Sequence, residues 1–489
     1  MPEPRSPAAD HSDDPQAVSS AKPPPSEPAG VGPPRPAAAA MEKLAVPASE
    51  SDDALPSQPL QWLTLMVVAA VVGALAGVVG AAFRATLVWA AGFRLELLAF
   101  SAAQLPSLSW LLPMCVCAAG GGLGLWLTRR LAPHTAGSGI PRIEAVLRAH
   151  LRPAESLILP VKFLGGSLSI GSGMALGREG PTVQMGGTIG RLVSDMLRRF
   201  IPEPWTLIAA GAGAGLAVAF NAPLAASLFV MEELLHRFSA RVFSASLIAC
   251  ITGTVVLRAA PSAWIGGATD FNVNPLGMTP AMVLPEYLIL GLAAGVLGVL
   301  FNVGLISSLR LFKRSRNWPK GATGAIVGAG AGLLAWYSPI AVGGGEELAQ
   351  HAIVGAFVCR TAIALLLLRF LLTMASYGCG APGGIFAPLL ALGAVLGNLF
   401  ATGTAAVTHA SVLPAPYAIV AMAACFTAIV RSPLTGVVLL LEMTGSWTLI
   451  LPMMAASVTA YCVPELLGNP PIYDSLRKLD EASEDAAAA

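Results

Sequence analysis

The sequence predicts an all-α, polytopic membrane protein built from two related halves. Of its 489 residues 55% are hydrophobic and only 12% are charged, and many of the 51 glycines lie inside apolar stretches. Soluble domains carry about twice that charged fraction. Glycine within apolar segments is typical of transmembrane helices that pack closely or are interrupted.

The N-terminal region, residues 1–59, differs from the rest of the chain. It holds 14 of the 39 prolines and shows no apolar periodicity. Such a composition buries too little surface to fold, so we expect a disordered tail rich in Pro and Ala. Residues 60–475 are expected to form one transmembrane domain. Residues 476–489 are expected to be a short acidic tail.

About eleven apolar stretches follow the N-terminal tail. Several reach the roughly 20 residues that a membrane-crossing helix needs, whereas Gly and Pro break others near 171–181 and 378–388. Irregular backbone at membrane depth persists only where it is buried in protein or lines a cavity, so we expect these breaks to be the working parts. The stretches are 61–92, 107–128, 155–176, 205–231, 241–260, 282–308, 321–343, 352–377, 383–408, 415–441 and 447–467.

Two connections between apolar stretches are rich in basic residues. By the positive-inside rule, both are expected to face the cytoplasm. They contain Arg129, Arg130, Arg142, Arg148 and Arg152 in one connection, and Arg310, Lys313, Arg314, Arg316 and Lys320 in the other.

Other kinds of chemistry lack support in the sequence. The seven Cys lie in apolar runs and the six His are scattered, so neither a metal site nor a cofactor is expected. We find no nucleophile–base pair and no Gly-rich phosphate loop, and therefore do not expect an enzyme. A net charge of +1 gives no reason to expect a nucleic-acid partner.

The chain also aligns with itself at an offset of 207 residues. Nine identities fall in a 29-residue window that begins at Lys162 and at Arg369. A second match, offset by 210, pairs the Pro-Leu and Glu of 223–232 with those of 433–442. Chance similarity between Gly-rich helices is the alternative, and the common register of both broken segments argues against it.

Two halves, near 61–270 and 281–475, are typical of transporters built from structural repeats. In such proteins the binding site lies where broken helices of the two halves meet. The N-terminal ends of those helices offer partial positive charge and free N–H groups. Whether the second half is inverted does not follow from sequence similarity alone.

Three short stretches, 137–141, 177–181 and 384–388, each place Pro in the predicted first turn of a helix, after Gly. Pro is preorganised there, and Gly lets the backbone approach a ligand closely. Several such helix ends aimed at one point would bind an anion through partial charges, which also let it leave. Ser138 adds a hydroxyl donor.

Glu179 lies in the second of these stretches, at bilayer depth, where a charge costs about 2.5–3.5 kcal/mol. Desolvation and a neighbouring anion both disfavour its carboxylate form. The carboxylate can occupy the anion site itself, and the neutral acid can release it, which would couple a proton to an anion. The alternative is an ion pair with Arg178, although adjacent residues rarely face each other on a helix.

A second pair of acids, Glu232 and Glu233, ends the apolar run 205–231. One or both could be a cytoplasmic proton port. The alternative is an ordinary helix end that reaches water.

The three stretches resemble the signature motifs of the CLC family of chloride channels and chloride/proton exchangers. The resemblance runs from about Gln61 to Tyr473. Other matching pieces are Lys162, residues 181–190, Phe220-Asn221-Ala222-Pro223-Leu224, Glu442-Met443-Thr444 and Pro470-Pro471-Ile472.

The resemblance implies a CLC-like fold of two inverted repeats with many tilted and broken helices. It implies a homodimer in membrane lipid, with one pathway per subunit and a dimer contact from parts of 205–231 and 420–460. The eukaryotic members' C-terminal modules are not found here. A prokaryotic protein of the inner (plasma) membrane is therefore expected.

The resemblance also implies roles for particular residues. Ser138 and Tyr473 would supply hydroxyls to a central chloride, and the N–H groups of Ile385 and Phe386 would complete that site. Glu179 would be the external gating glutamate and also carry the proton.

Glu233 would be the internal proton-transfer residue, with Glu232 beside it. Channel members usually lack an acid at the Glu233 position, so chloride/proton antiport is favoured over a passive voltage- or pH-gated chloride channel. Members that prefer nitrate carry Pro where Ser138 stands, so chloride is the expected ion. Arg142 is a departure, because the best-known bacterial relatives tend to have an acid there.

Overall fold

The structure is a computed structural model that describes residues 59–104, 106–148, 156–197, 204–261, 271–278, 280–315, 317–409 and 411–488. The predicted N-terminal tail lies outside these residues, except for Pro59, which begins the first helix. The described part of the chain forms 17 α-helices, which confirms the predicted all-α class.

The first eight helices make up one half of the fold. Proline in the first turn starts several of them, since its fixed φ suits that position and its missing N–H has no partner to lose. They are α1 (Pro59–Gln104), α2 (Leu111–Leu131), α3 (Ile140–Leu147), α4 (Ile158–Gly171), α5 (Glu179–Met196), α6 (Pro204–Phe220), α7 (Pro223–Phe229) and α8 (Ala240–Ala259). A π-helical turn, Val230–Leu235, continues α7.

The next eight helices repeat this order, and one more follows. They are α9 (Leu284–Lys313), α10 (Ala322–Tyr337), α11 (Glu346–Ile353), α12 (Cys359–Gly378), α13 (Phe386–Thr408), α14 (Pro414–Val430), α15 (Pro433–Thr444), α16 (Ile450–Leu466) and α17 (Ile472–Ala488). The residues expected to form an acidic tail therefore continue α17, and this last helix has no counterpart among the described residues of the first half.

The repeat extends further than the sequence alignment did. The short 3₁₀ turn Pro133–Thr135 before the eight-residue α3 recurs as Pro339–Ala341 before the eight-residue α11. Helices α1–α8 thus correspond to α9–α16, one for one. The self-alignment covered only parts of α4, α5, α7 and their counterparts.

The two halves are inverted, as implied by the resemblance. The equivalent helices α2 and α10 pack antiparallel: Gly328 lies against Cys117, and Gly332 lies against Pro113. Near the other end, a Cβ on Gly324 would come within 2.4 Å of the Gly121 carbonyl, so the helices touch through glycine. The end of α2 thereby meets the start of α10, which places both basic connections at one end of the molecule.

Within the described ranges, seven helical stretches are long and apolar enough to cross a membrane. They are α1, α2, α8, α9, α12, α13 and Trp447–Leu466, which contains α16. Other apolar helices, such as α6 and α14, are shorter because Pro-containing breaks divide the predicted stretches 205–231 and 415–441. These breaks bring helix ends into the protein interior.

Candidate functional site

The three Gly- and Pro-containing stretches meet in the middle of the fold. Gly177 and Gly384, equivalent in the two halves, exchange two backbone N–H···O bonds of 2.8 Å each in an antiparallel bridge. The N–H of Gly383 donates to the carbonyl of Gly137 at 3.0 Å. These bonds join the segments that lead into α3, α5 and α13, so the ends of three helices lie side by side.

Glu179 is the first residue of α5 and is fully buried. Its Oε1 accepts a hydrogen bond of 2.6 Å from the N–H of Phe386, the first residue of α13. Backbone N–H groups of Ala387 and of Glu179 itself lie near the carboxylate. The carboxylate therefore lies at the N-termini of one helix from each half, where free N–H groups and the helix dipoles favour a negative charge.

Glycine makes the space for this carboxylate. A Cβ on Gly384 would lie 2.2 Å from Glu179 Oε1, and a Cβ on Gly177 would lie 2.1 Å from Oε2. Both distances are far too short for any side chain. The need for Gly at these two positions therefore comes from the carboxylate that they enclose.

Ser138 and Tyr473 both lie beside this centre and are buried. Ser138 packs on Gly180, the second residue of α5, and the Tyr473 ring packs edge-on against Phe386, with ring centroids 5.7 Å apart. Neither hydroxyl has a hydrogen-bond partner, and neither does Glu179 Oε2. Buried polar atoms are seldom left unpaired, so this group is suited to a further polar ligand.

Ile385, the other residue predicted to offer an N–H, is buried at the N-cap of α13. The Phe386 side chain below it is surrounded by three further aromatic rings, those of Phe220, Phe229 and Phe426. These rings hold the start of α13 in place and present an apolar wall beside the polar group.

A buried cation in each half holds the loop before the short helix. Lys162 Nζ donates to the carbonyls of Thr135 and Gly137, at 2.9 and 2.7 Å. Its counterpart Arg369 donates to the carbonyls of Ala341 and Gly344. Charge-assisted bonds to carbonyls satisfy the loops while leaving the N–H groups at the helix starts free.

Tyr377 was not singled out in the sequence. Its hydroxyl accepts a hydrogen bond of 3.3 Å from the N–H of Ser138 and thereby fixes that residue. Tyr377 stands between Ser376 and Gly378, which are both identities of the repeat. This position was the only feature of the sequence that could have marked it as a functional residue.

Glu233 lies on the π-helical turn after α7, with 4% of its surface exposed. Its Oε2 accepts a hydrogen bond of 2.6 Å from the hydroxyl of Ser432. Tyr473 is close enough to interact electrostatically with both Glu179 and Glu233. Tyr473 is therefore a neighbour of both glutamates.

Glu232 points elsewhere and caps a helix of the other half. It accepts hydrogen bonds from the N–H groups of Leu434 and Thr435, at 3.2 and 2.7 Å, at the start of α15. Glu442 does the same for Leu224 and Ala225 at the start of α7. These reciprocal caps bind the halves together and favour a structural role for Glu232.

One group of potential metal ligands occurs among the described residues. Single ligand atoms of Glu144, His236 and Asp474 lie within 4.8 Å of one another. However, Arg477 donates to Glu144 and Asp474, and Arg148 contacts Glu144 and His236. Two guanidinium groups already neutralise this group, which makes it a poor site for a cation.

Comparison with known proteins identifies the fold. A family model described as voltage gated chloride channel matches residues 115–465. The chain belongs to the CLC family. The expected resemblance is therefore confirmed over most of the chain.

Two CLC relatives among curated proteins are named H(+)/Cl(-) exchange transporter ClcA. The protein of Cronobacter sakazakii is 40% identical over 432 residues, which cover 87% of this chain and 91% of the relative. The protein of Klebsiella pneumoniae is 40% identical over 435 residues, with the same coverage.

Solved CLC structures share the fold. A slow cyanobacterial Cl⁻/H⁺ antiporter superposes with a TM-score of 0.80 and 36% identity, covering 86% of this chain and 99% of the other. A eukaryotic CLC transporter, 23% identical, gives a TM-score of 0.72 and covers 86% of this chain and 75% of the other. With its seven apolar spans, the chain is a multi-pass integral membrane protein.

The first prediction concerns the glycine enclosure. In Gly384→Ala the added Cβ must displace the Glu179 carboxylate, so an experimental structure of this variant should show Glu179 in another rotamer. Gly403→Ala on α13 is the control, because its Cβ would meet nothing within 4 Å. A Glu179 carboxylate that stays bonded to Phe386 in Gly384→Ala would show that this steric account is wrong.

Proposed function

We propose that this CLC protein is a secondary active transporter that exchanges chloride for protons, with Glu179 as its gate. The observation that carries the proposal is the position of the Glu179 carboxylate at the start of α13. It is held there by N–H groups that would equally suit a chloride ion. The two ClcA relatives and the cyanobacterial antiporter, with the activities in their names, support it.

Competition between carboxylate and anion gives the coupling. When Glu179 takes up a proton it loses its negative charge, and the N–H group of Phe386 and the helix start bind it less strongly. Chloride then takes the vacated position, within reach of the Ser138 and Tyr473 hydroxyls. Deprotonation returns the carboxylate and expels the ion, so each cycle links an anion to a proton.

Partial charges suit transport better than a full cation would. Backbone N–H groups, with those of Ile385 and Phe386 foremost, bind chloride firmly enough to strip its water and weakly enough to release it. The buried cations Lys162 and Arg369 bind carbonyls of the loops. No cofactor is needed for this chemistry, since chloride and the proton are the transported species.

We assign the inner end of the proton path to Glu233. Its burial and its single bond to Ser432 leave it able to gain or lose a proton. Tyr473 is close enough to interact electrostatically with both Glu233 and Glu179. Glu232 is a secondary candidate for proton transfer, because its carboxylate is already bonded to the start of α15.

We also propose a homodimer in membrane lipid, and the inner membrane of a bacterium as its location. Helix α6 is buried within the subunit, so of the range 205–231 only the part from α7 onward is free to form a contact. Leu224 on α7 and Leu434 on α15 are exposed, at 39% and 59%, beside the reciprocal caps. This apolar face is the proposed dimer contact.

Glu179→Gln should keep chloride flux and lose its dependence on pH, since a neutral amide imitates the protonated acid permanently. Chloride efflux from proteoliposomes over a series of pH values measures this. Glu346→Gln is the control, because Glu346 is near Glu179 but half exposed. Efflux from Glu179→Gln that still varies with pH as in the wild type would place the gate at another residue.

Glu233→Gln should stop proton movement while chloride still leaks. We expect proton flux to fall by about 100-fold, the lower end of what a positioned proton-transfer group supplies. Proton uptake driven by a chloride gradient measures it, with Glu232→Gln in parallel. Intact coupling in Glu233→Gln would mean that the inner proton path runs through another residue.

A further inference from the structure

Arg477 on α17 forms a buried ionic contact that neither the CLC motifs nor the mechanism above includes. Its Nε donates to Glu144 Oε1 on α3 at 3.1 Å, Nη2 to Asp474 at 3.0 Å and Nη1 to Glu481 at 2.9 Å. The Arg477 side chain is 8% exposed and that of Glu144 1% exposed. All three arms of the guanidinium group are therefore engaged, and the bond to Glu144 is shielded from water.

Glu144 is held from a second direction as well. Arg148, one turn further along, contacts the same Oε1 at 3.0 Å and also binds Nδ1 of His236 at 2.9 Å. Burial, with Arg148 next to it, lowers the pKa of His236, which favours the neutral imidazole that can accept this bond. The positive charges beside the Glu144 carboxylate thus come from Arg148 and Arg477.

The two partners stand close to the two hydroxyls of the anion site. Ser138 lies directly before the N-cap of α3, the eight-residue helix that carries Glu144 and whose residues are all buried. Tyr473 is the second residue of α17, about one helical turn before Arg477. The ionic contact therefore joins α3 to α17, and each of these helices has a hydroxyl of the site, from Ser138 or Tyr473, at or next to its N-terminal end.

Helices α3 and α17 are far apart in the chain. Ser138 belongs to the first half of the repeat, whereas α17 follows the second half and has no equivalent helix. Helices α3 and α17 pack directly on each other. Because a buried charge pair is costly to separate, the Glu144–Arg477 bond resists both sliding and opening of this contact.

We propose that Arg477 is a positioning residue: its bond to Glu144 sets the gap between the Ser138 and Tyr473 hydroxyls, and through it chloride affinity and coupling. This inference rests on the proposed function, since it takes the two hydroxyls as chloride ligands. Loss of the bond lets α17 move away from α3, so the ion is held less firmly and slips through without a proton.

The bond has a second consequence on the proton side. Glu144 and Asp474 are both close enough to Glu233 to disfavour its carboxylate form electrostatically. Arg477 neutralises both acids at once. Removing Arg477 would therefore also hinder release of the proton from Glu233. Slower proton release and chloride slippage both lower the number of protons moved per chloride.

The test compares Arg477→Gln with Lys478→Gln, its exposed neighbour on the same helix, in the purified full-length protein. Chloride affinity is measured by calorimetry, and the proton-to-chloride ratio in proteoliposomes. We expect the chloride Kd of Arg477→Gln to rise about tenfold and its ratio to fall, with Lys478→Gln unchanged in both. A folded Arg477→Gln with wild-type Kd and ratio overturns the proposal.

Glu144→Gln should reproduce the rise in chloride Kd, and the Kd of the double variant should differ little from that of either single variant, because both substitutions remove the same ionic bond. Additive effects would overturn the proposal. If Arg477→Gln does not fold, Glu144→Gln replaces it, because it removes the ionic bond and leaves Arg477 with Asp474 and Glu481. A wild-type chloride Kd in folded Glu144→Gln overturns the proposal equally.

Tyr473→Phe separates failure of this inference from failure of the proposed function. If Tyr473→Phe weakens chloride binding and Arg477→Gln does not, the hydroxyl is a ligand and the positioning role is wrong. If the wild type binds no chloride, or if Tyr473→Phe binds it unchanged, the site assignment itself is wrong, and the positioning role falls with it.

Discussion

The hydrogen bond from the N–H of Phe386 to the Glu179 carboxylate is the interaction on which the rest of the site depends. It places a buried negative charge between the starts of two helices, where dipoles and free N–H groups stabilise it without a fixed cation. A Lys or Arg there would bind any anion too firmly for transport. Three surrounding features keep those N–H groups free and close together. They are the glycines at 177 and 384, the loop carbonyls bound by Lys162 and Arg369, and the aromatic rings around Phe386.

The inverted repeat explains how one chain builds such a site. Equivalent segments meet at the axis that relates the halves, so Gly177 pairs with Gly384 and each half supplies one helix start. Away from the axis the same symmetry produces reciprocal caps: Glu232 caps the start of α15, and Glu442 caps the start of α7. The halves differ where function requires it: Glu179 is titratable, whereas Phe386 in the equivalent position offers its backbone. Tyr473 comes from α17, which has no counterpart and can therefore contribute to the centre only once.

Much of this organisation could be predicted from the sequence, because apolar length, Gly-Pro breaks and a 207-residue offset are local patterns. The importance of the breaks near 171–181 and 378–388 followed from the cost of irregular backbone inside a membrane, and the expectation that broken helices meet followed from the repeat. The inversion did not, since sequence similarity carries no direction, and it took the antiparallel contact of α2 with α10 to establish it. Nor did the cap made by Glu232, the Tyr377 bond to Ser138 or the Arg477–Glu144 contact follow, because each joins positions distant in the chain through side-chain geometry.

The most direct test of the central claim is proton movement driven by a chloride gradient in proteoliposomes containing the wild-type protein. Because the proposed mechanism requires protonation of Glu179 before chloride enters the site, an outward chloride gradient should drive protons inward against their own gradient. An added protonophore should collapse the proton gradient so formed. Chloride flux that runs down its gradient with no accompanying proton movement would contradict exchange and leave a passive anion channel.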